Sequence, residues 1–251
     1  MGKKKNQIVG SNDMKLEKLE KPFNNWLGRE MAKAEDPIAH LDERLIDIRK
    51  RTLEMFEAHK LMASGYKTVL QALKMAYPAF DLNDPNITDS HNRMARALLE
   101  MCSGLGATNG DTVNATFPSE KYNEVILLKD IDFTSLCAHH FIPFTGVAHV
   151  AYLPDVTQQD GRVVGLSKLA RIVDVHAQRP QLQERMCYSI MEALKSELRP
   201  AGVMVVVQAA HGCLTCRGAR KANAIMLTSA LDGKFKEDPK LRQEFLALIH
   251  P

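Results

Sequence analysis

The chain has 251 residues, is 45% hydrophobic and 25% charged, and carries a formal net charge of +3 with five cysteines and one tryptophan. That size suits one large domain or one domain with helical additions, and so small a charge argues against bulk nucleic-acid binding. An odd cysteine count argues against a disulfide scaffold, no apolar run approaches a membrane span, and the start Met1-Gly2-Lys3-Lys4-Lys5-Asn6 lacks the apolar core of a signal peptide, so a cytoplasmic protein is expected.

Residues 1–36 are polar and Lys/Glu-rich without sustained periodicity, and are expected to be a flexible tail. Residues 37–104 read as a helical region. Ile38, Leu41, Leu45, Ile48, Thr52 and Met55 recur at three- and four-residue steps, predicting a helix with one buried stripe. A second helix is expected over Gly65 to Ala76, stopping near Pro78, and a third over Ser90 to Met101, with Met94, Ala97, Leu98 and Met101 as its apolar face.

The texture changes in residues 105–251. Glu124 to Leu136 and Gly146 to Leu153 read as strands, β-branched and bounded by turn residues, and Asp155 to Gly161 as a polar loop. Ser167 to Ala177 is expected to be helical. So is Gln181 to Leu198, where Leu182, Met186, Ile190, Leu194 and Leu198 step by four and Arg199-Pro200-Ala201-Gly202 supplies the stop. Val203 to Ala210 is an almost wholly apolar strand, Asn223 to Leu231 a fourth strand, and Asp238 to His250 a closing helix. The order predicts an α+β domain: an antiparallel four-stranded sheet with two helices covering one face, preceded by N-terminal helices. Four strands leave two edges exposed, which pairing between subunits would remove.

Two cysteine–histidine clusters carry the chemistry. Cys137-Ala138-His139-His140 has C-x-x-H spacing, which lets Cys137 and His140 reach one ion from a single turn. His211-Gly212-Cys213 would add Cys213 as a third ligand once folding brought the clusters together. Three protein ligands leave a tetrahedral zinc one open position for water, with His139 and His211 beside it for proton transfer. The rival is a closed structural site that adds Cys216 to the same three. On spacing alone the two are equally supported; the spare histidines and nearby cations favour the open one. Cys102 and Cys187, inside helical patterns, read as small buried hydrophobes.

From about residue 82 to the end, the chain resembles GTP cyclohydrolase I. The resemblance rests on Cys137-Ala138-His139-His140-Phe141, Tyr152-Leu153-Pro154, Gly165-Leu166-Ser167-Lys168-Leu169-Ala170-Arg171-Ile172-Val173, Arg179-Pro180-Gln181-Leu182-Gln183-Glu184-Arg185, His211-Gly212-Cys213 with Arg217-Gly218, and Thr228-Ser229-Ala230, in the family's order and near its spacing. It implies a tunnelling-fold catalytic domain over residues 105–251, with subunit sheets joined into a barrel. It further implies a homo-oligomer, usually a decamer of two stacked pentamers, with active sites at subunit interfaces. Zinc is implied at Cys137, His140 and Cys213. The implied reaction opens the guanine imidazole ring of GTP with loss of formate and gives 7,8-dihydroneopterin triphosphate, for folate or tetrahydrobiopterin synthesis.

The residues suit that chemistry. Guanine C8 is a weak electrophile and needs a strong nucleophile together with protonation at N7, so zinc-activated water and two histidines fit. By resemblance His211 and His139 are catalytic, and Gln183 and Glu184 bind guanine. The carboxylate of Glu184 would accept from N1–H and the 2-amino group, a donor pair that adenine lacks. Ser167, Lys168, Arg171 and Arg217 match the triphosphate contacts, and Arg93 and Arg96 match residues reaching over from a neighbouring subunit. Taken singly, each of these charges would more often be a solvated surface group.

The chain departs from the family pattern at Ala138, where Glu is usual, at Asp89-Ser90-His91-Asn92-Arg93 where Thr-Pro is frequent, in the long Asp155–Gly161 loop, at Asp232 in place of a basic residue, and at Cys216. These departures motivate two alternatives: a paralogue acting on a modified or deoxy guanine nucleotide, and a non-catalytic zinc-stabilised oligomer.

Overall fold

The computed structural model describes residues 41–107, 116–157 and 161–249. The expected tail over 1–36 and part of the Asp155–Gly161 loop lie outside these. The chain divides into two compact units, Met1–Leu61 and Met62–Pro251.

Helix α1 runs over Leu41–Ala76. The two helices expected there are therefore one. Gly65 does not break it, because a lone mid-helix glycine costs only about 1 kcal/mol and no proline or left-handed stop precedes Pro78. The helix ends before Tyr77-Pro78, a pair that disfavours helical backbone, and Lys74 Nζ donates to the Pro78 carbonyl at 2.7 Å. The expected buried stripe is not formed over its described residues: Ile48 is half-buried, and Thr52 and Met55 are exposed. Apolar side chains stand uncovered along this helix, Leu61 being 76% and Met75 84% exposed; a periodic apolar row is buried only where another element packs on it. Helix α2 spans Ser90–Met101 as expected, but its buried residue is Ala95, with Leu98, Leu99 and Met101 half-buried and Met94 and Ala97 exposed. Two apolar rows overlap on this helix, and the one passing through Ala95 is the row that packs.

The sheet contains four long antiparallel strands, β2 (Ile126–Cys137), β3 (Pro143–Leu153), β6 (Gly202–His211) and β7 (Met226–Gly233), in the order β5-β2-β3-β6-β7. The added strand β5, Pro180–Gln181, pairs parallel with the end of β2 at Leu136 and Cys137. A small ribbon of β1 (Thr116–Pro118) and β4 (Arg162–Val164) stands apart. Its Val164 N–H donates at 3.0 Å to the hydroxyl of Tyr152, whose ring is buried. Strands of two or three residues leave no periodicity to read, so these three were not expected from the sequence.

Helices α3 (Leu166–Ala177) and α4 (Gln183–Leu198) cover one sheet face. Ile172, Met186, Ile190 and Leu194 pack there on Val150, Tyr152, Val205 and Val207. The opposite face is also partly covered. After the short turn α6 (Lys234–Glu237), helix α7 (Pro239–Ile249) packs Phe245 and Ile249 against Ala151, Leu153, Met204 and Val206. Side chains alternate across a strand, so β6 feeds both cores, and its continuous apolar run follows from burial on both sides.

His176, near the end of α3, is buried, and its carbonyl accepts from Gln181 Nε2 at 2.9 Å. Burial, with the Arg179 charge second, pushes its imidazole down to about 4. Its folded-state value therefore lies below the ordinary one. The unfolded chain takes up a proton first, so the contribution is whole above about pH 6.5 and is lost as the pH falls toward about 4. Between about pH 7 and about pH 5 this one group should remove roughly 2 kcal/mol of stability. Urea unfolding of His176→Gln should show a correspondingly smaller loss than the parent over that interval; equal losses would exclude His176 as the source.

Candidate active site

The topology explains how two clusters far apart in sequence meet. Strand β2 ends at Cys137, β3 begins six residues later beside it, and β6, the other neighbour of β3, ends at His211. The register pairs Leu136 with Pro143 and Phe144 with His211, so all three chain segments arrive at one end of the sheet. The turn after Cys137 is closed by the Phe141 N–H donating to the Cys137 carbonyl at 2.8 Å and the Cys137 N–H donating to the Ile142 carbonyl at 2.9 Å. Phe141 accepts a positive φ of 52° in this turn. Strand β5 holds the turn from outside, because the Ala138 N–H donates to the Gln181 carbonyl at 2.9 Å.

On the other side, α5 is a single turn, Gly212–Thr215, that carries Cys213. A side chain at Gly212 would stand 2.6 Å from Ile142 Cγ2 and 2.7 Å from the Pro143 carbonyl. Only glycine lets this turn approach β3 closely enough to bring Cys213 over Cys137.

Cys137 Sγ lies 3.6 Å from His140 Nδ1, 3.8 Å from His139 Nδ1 and 3.8 Å from Cys213 Sγ. Two groups of potential ligand atoms share Cys137: one with His139 and His140, the other with His211 and Cys213, each within 4.8 Å of one another. Two sulfurs bound tetrahedrally at about 2.3 Å stand about 3.8 Å apart, so the thiol pair fits a single zinc. His139 stands almost as close to Cys137 as His140 does. Cys216 belongs to neither group; it is exposed, and its thiol donates to the Gly212 carbonyl at 2.8 Å. Burial, and then the hydrogen bond with Cys137, raise the Cys213 thiol, while the Arg217 charge opposes them.

His211 is gripped on two sides. Its ring stacks on Phe144, with centroids 4.3 Å apart and planes 5° from parallel. Its Nε2 lies 2.8 Å from Gln183 Oε1. Burial lowers its pKa, and the nearby Glu184 carboxylate works against that shift. Gln183 is not the exposed helix residue its position would suggest: it is 1% exposed. Glu184 is exposed. The site thus gathers Cys137, His139, His140, His211, Cys213 and Gln183, with Glu184 and Arg217 close enough to influence it.

The other residues expected to contact a triphosphate stand on other elements, α3 and α2. Ser167 and Arg171 lie exposed on α3, with Lys168 half-buried between them. Arg93 donates to Ser90 Oγ at 3.1 Å and to the Asn86 carbonyl, and Arg96 pairs with Asp89 at 3.8 Å, all within their own segment. Phe144 and Gln181 belong to the site and were not anticipated. Phe144 reads as a strand core residue, and nothing local marks it as the platform under His211.

Fold and site together define an α+β protein with a thiol–imidazole cluster at one end of its sheet, whose ligand atoms could hold a metal ion. A family model described as GTP cyclohydrolase I matches residues 62–250. A GTP cyclohydrolase 1 of Streptococcus suis (strain 05ZYH33) is 46% identical over 184 residues, covering 73% of this chain and 95% of that protein. One from Listeria welshimeri is 44% identical over 197 residues, covering 78% and 98%. The chain belongs to the GTP cyclohydrolase I family and is an enzyme of that family. A crystal structure of an archaeosine synthase QueF-Like in the apo form overlays with a TM-score of 0.37 and 20% identity, over 45% of this chain and 97% of that one.

Proposed function

We propose that the chain opens the guanine imidazole ring of GTP by hydrolysis, releasing formate and giving 7,8-dihydroneopterin triphosphate for pterin or folate synthesis, with one zinc held by Cys137, His140 and Cys213. The observation that carries this is the meeting of Cys137 with His140 at 3.6 Å and with Cys213 at 3.8 Å, in a chain of this family. When bound, zinc supplies a Lewis acid that activates water at neutral pH.

The protein's own groups supply the rest. His211, held flat on Phe144, and His139 exchange protons with the purine and then the ribose. Arg217, with Ser167, Lys168 and Arg171, binds the triphosphate. The outer edge of β7, and the edge of β2 beyond its short pairing with β5, are unpaired among the described residues. They support association of subunits through their sheets into a tunnelling-fold barrel, a homodecamer in which Arg93 and Arg96 serve a neighbour's site. In this reading residues 1–36 are a tail, 37–104 a helical region and 105–251 the catalytic domain. No helix among the described residues is long and apolar enough to cross a membrane, which is compatible with cytoplasmic work.

The test is direct. Purified protein with zinc and GTP should release formate and develop pterin fluorescence. Neither product from zinc-loaded protein would overturn the assignment. Ala138 supports one variant of it, because the metal loop closes onto Gln181 without the usual carboxylate. If dGTP or a modified guanine nucleotide is turned over much faster than GTP, the substrate is the variant nucleotide.

Glu184 is proposed to recognise guanine, accepting from N1–H and the 2-amino group. Glu184→Ala should weaken GTP binding about 30-fold or more with zinc content unchanged. Titration calorimetry showing parental affinity would return Glu184 to the helix surface.

A further inference from the structure

We propose that Gln183 is a positioning residue: it holds His211 with the imidazole proton on Nε2 and leaves Nδ1 as the bare, accepting nitrogen. This rests on the proposed role of His211 in proton transfer and adds to it the atom through which the proton moves.

The inference follows from hydrogen bonds that leave no choice of direction. Gln183 Nε2 lies 3.0 Å from the Val207 carbonyl, 3.0 Å from the Met226 carbonyl and 3.2 Å from Thr228 Oγ1. Carbonyl oxygens only accept, so the amide nitrogen must be the atom facing them, and the amide cannot be flipped. Its oxygen is therefore the atom 2.8 Å from His211 Nε2. That oxygen carries no proton, so the imidazole must donate. A neutral imidazole has a single N–H, and here it is spent on Gln183. Nδ1 is left as the acceptor. Stacking on Phe144 at 4.3 Å and 5° fixes the plane in which that nitrogen lies.

The anchoring is rigid. Val207 and Met226 lie on β6 and β7, which pair through Val207 with Thr228 and Ala209 with Met226. Gln183 begins α4 and reaches across both strands. At 1% exposure it offers a nucleotide almost no surface, and its amide N–H groups face the Val207 and Met226 carbonyls. Of the Gln183–Glu184 pair, Glu184 is the exposed member.

Two measurements test this. The first is the nitrogen NMR spectrum of native, zinc-loaded protein carrying ¹⁵N-labelled histidine, recorded at about pH 8, where a free imidazole is neutral. His211, assigned by the signal lost in His211→Ala, should show a protonated, pyrrole-type Nε2 coupled to its hydrogen. A pyrrole-type Nδ1 would overturn the proposal. The result does not depend on turnover, so it stands apart from any failure of the GTP assay. The second is Gln183→Leu, which retains bulk and loses the acceptor. We expect kcat to fall about tenfold or more with KM for GTP and zinc content unchanged. Unchanged kcat, or a raised KM at constant kcat, would place Gln183 outside this role. Should the variant not fold, the native spectrum still decides.

Discussion

Cys213→Ser is expected to abolish both metal binding and turnover. Metal analysis of the dialysed variant should find less than about a tenth of a zinc per chain, and activity should fall by about 10³-fold or more. The reason is geometric. Cys213 is the only contribution from the second cluster that faces Cys137 sulfur to sulfur, at 3.8 Å, and a serine oxygen is both a shorter reach and a poorer zinc ligand. Cys216→Ser is the matched control. Its thiol turns away to the Gly212 carbonyl, so zinc and activity should both survive. Stoichiometric loss of zinc from Cys216→Ser would instead establish a closed four-ligand site and remove the open coordination position that the proposed reaction requires.

His211→Ala should separate metal from chemistry. Zinc content should stay at one per chain while turnover falls about 10²-fold or more, the usual worth of a placed acid or base. Full activity would remove His211 from the mechanism. His139→Ala carries the same expectation with a sharper edge. The structure sets His139 Nδ1 3.8 Å from Cys137, against 3.6 Å for His140, so the two neighbours compete for one role. Loss of zinc in His139→Ala with retention in His140→Ala would exchange the ligand and the proton carrier.

Several things were legible in the amino-acid order because they depend on neighbours along the chain. The step-by-four pattern of Leu182 to Leu198 set the helix that became α4, and the apolar run from Val203 marked the strand that became β6. The C-x-x-H spacing put Cys137 and His140 in one turn, and the family motifs identified the enzyme class. Other features depended on what lies across space. The sequence pointed to two helices where α1 is continuous, because one glycine is too weak a signal to stop a helix. It also pointed to a buried stripe around Met55, which is 51% exposed; periodicity shows that a face could be covered, not that anything covers it.

The site divides in the same way. By itself, the sequence marked two short clusters of thiols and imidazoles suited to a metal and left open whether Cys216 joins them. Only the tertiary structure decided their relations. The β2–β3–β6 adjacency brings Cys213 to Cys137, the bare backbone of Gly212 lets that turn come close, and β5 secures the loop at Ala138. Gln183 shows the difference most plainly. Its place beside Glu184 in a polar motif suggested a second contact to guanine. Burial against the carbonyls of two strands directs its amide to Val207, Met226 and His211. Hydrogen-bond direction is settled by which acceptors surround a group, and those acceptors lie 24 and 43 residues away, beyond any pattern that local sequence can carry.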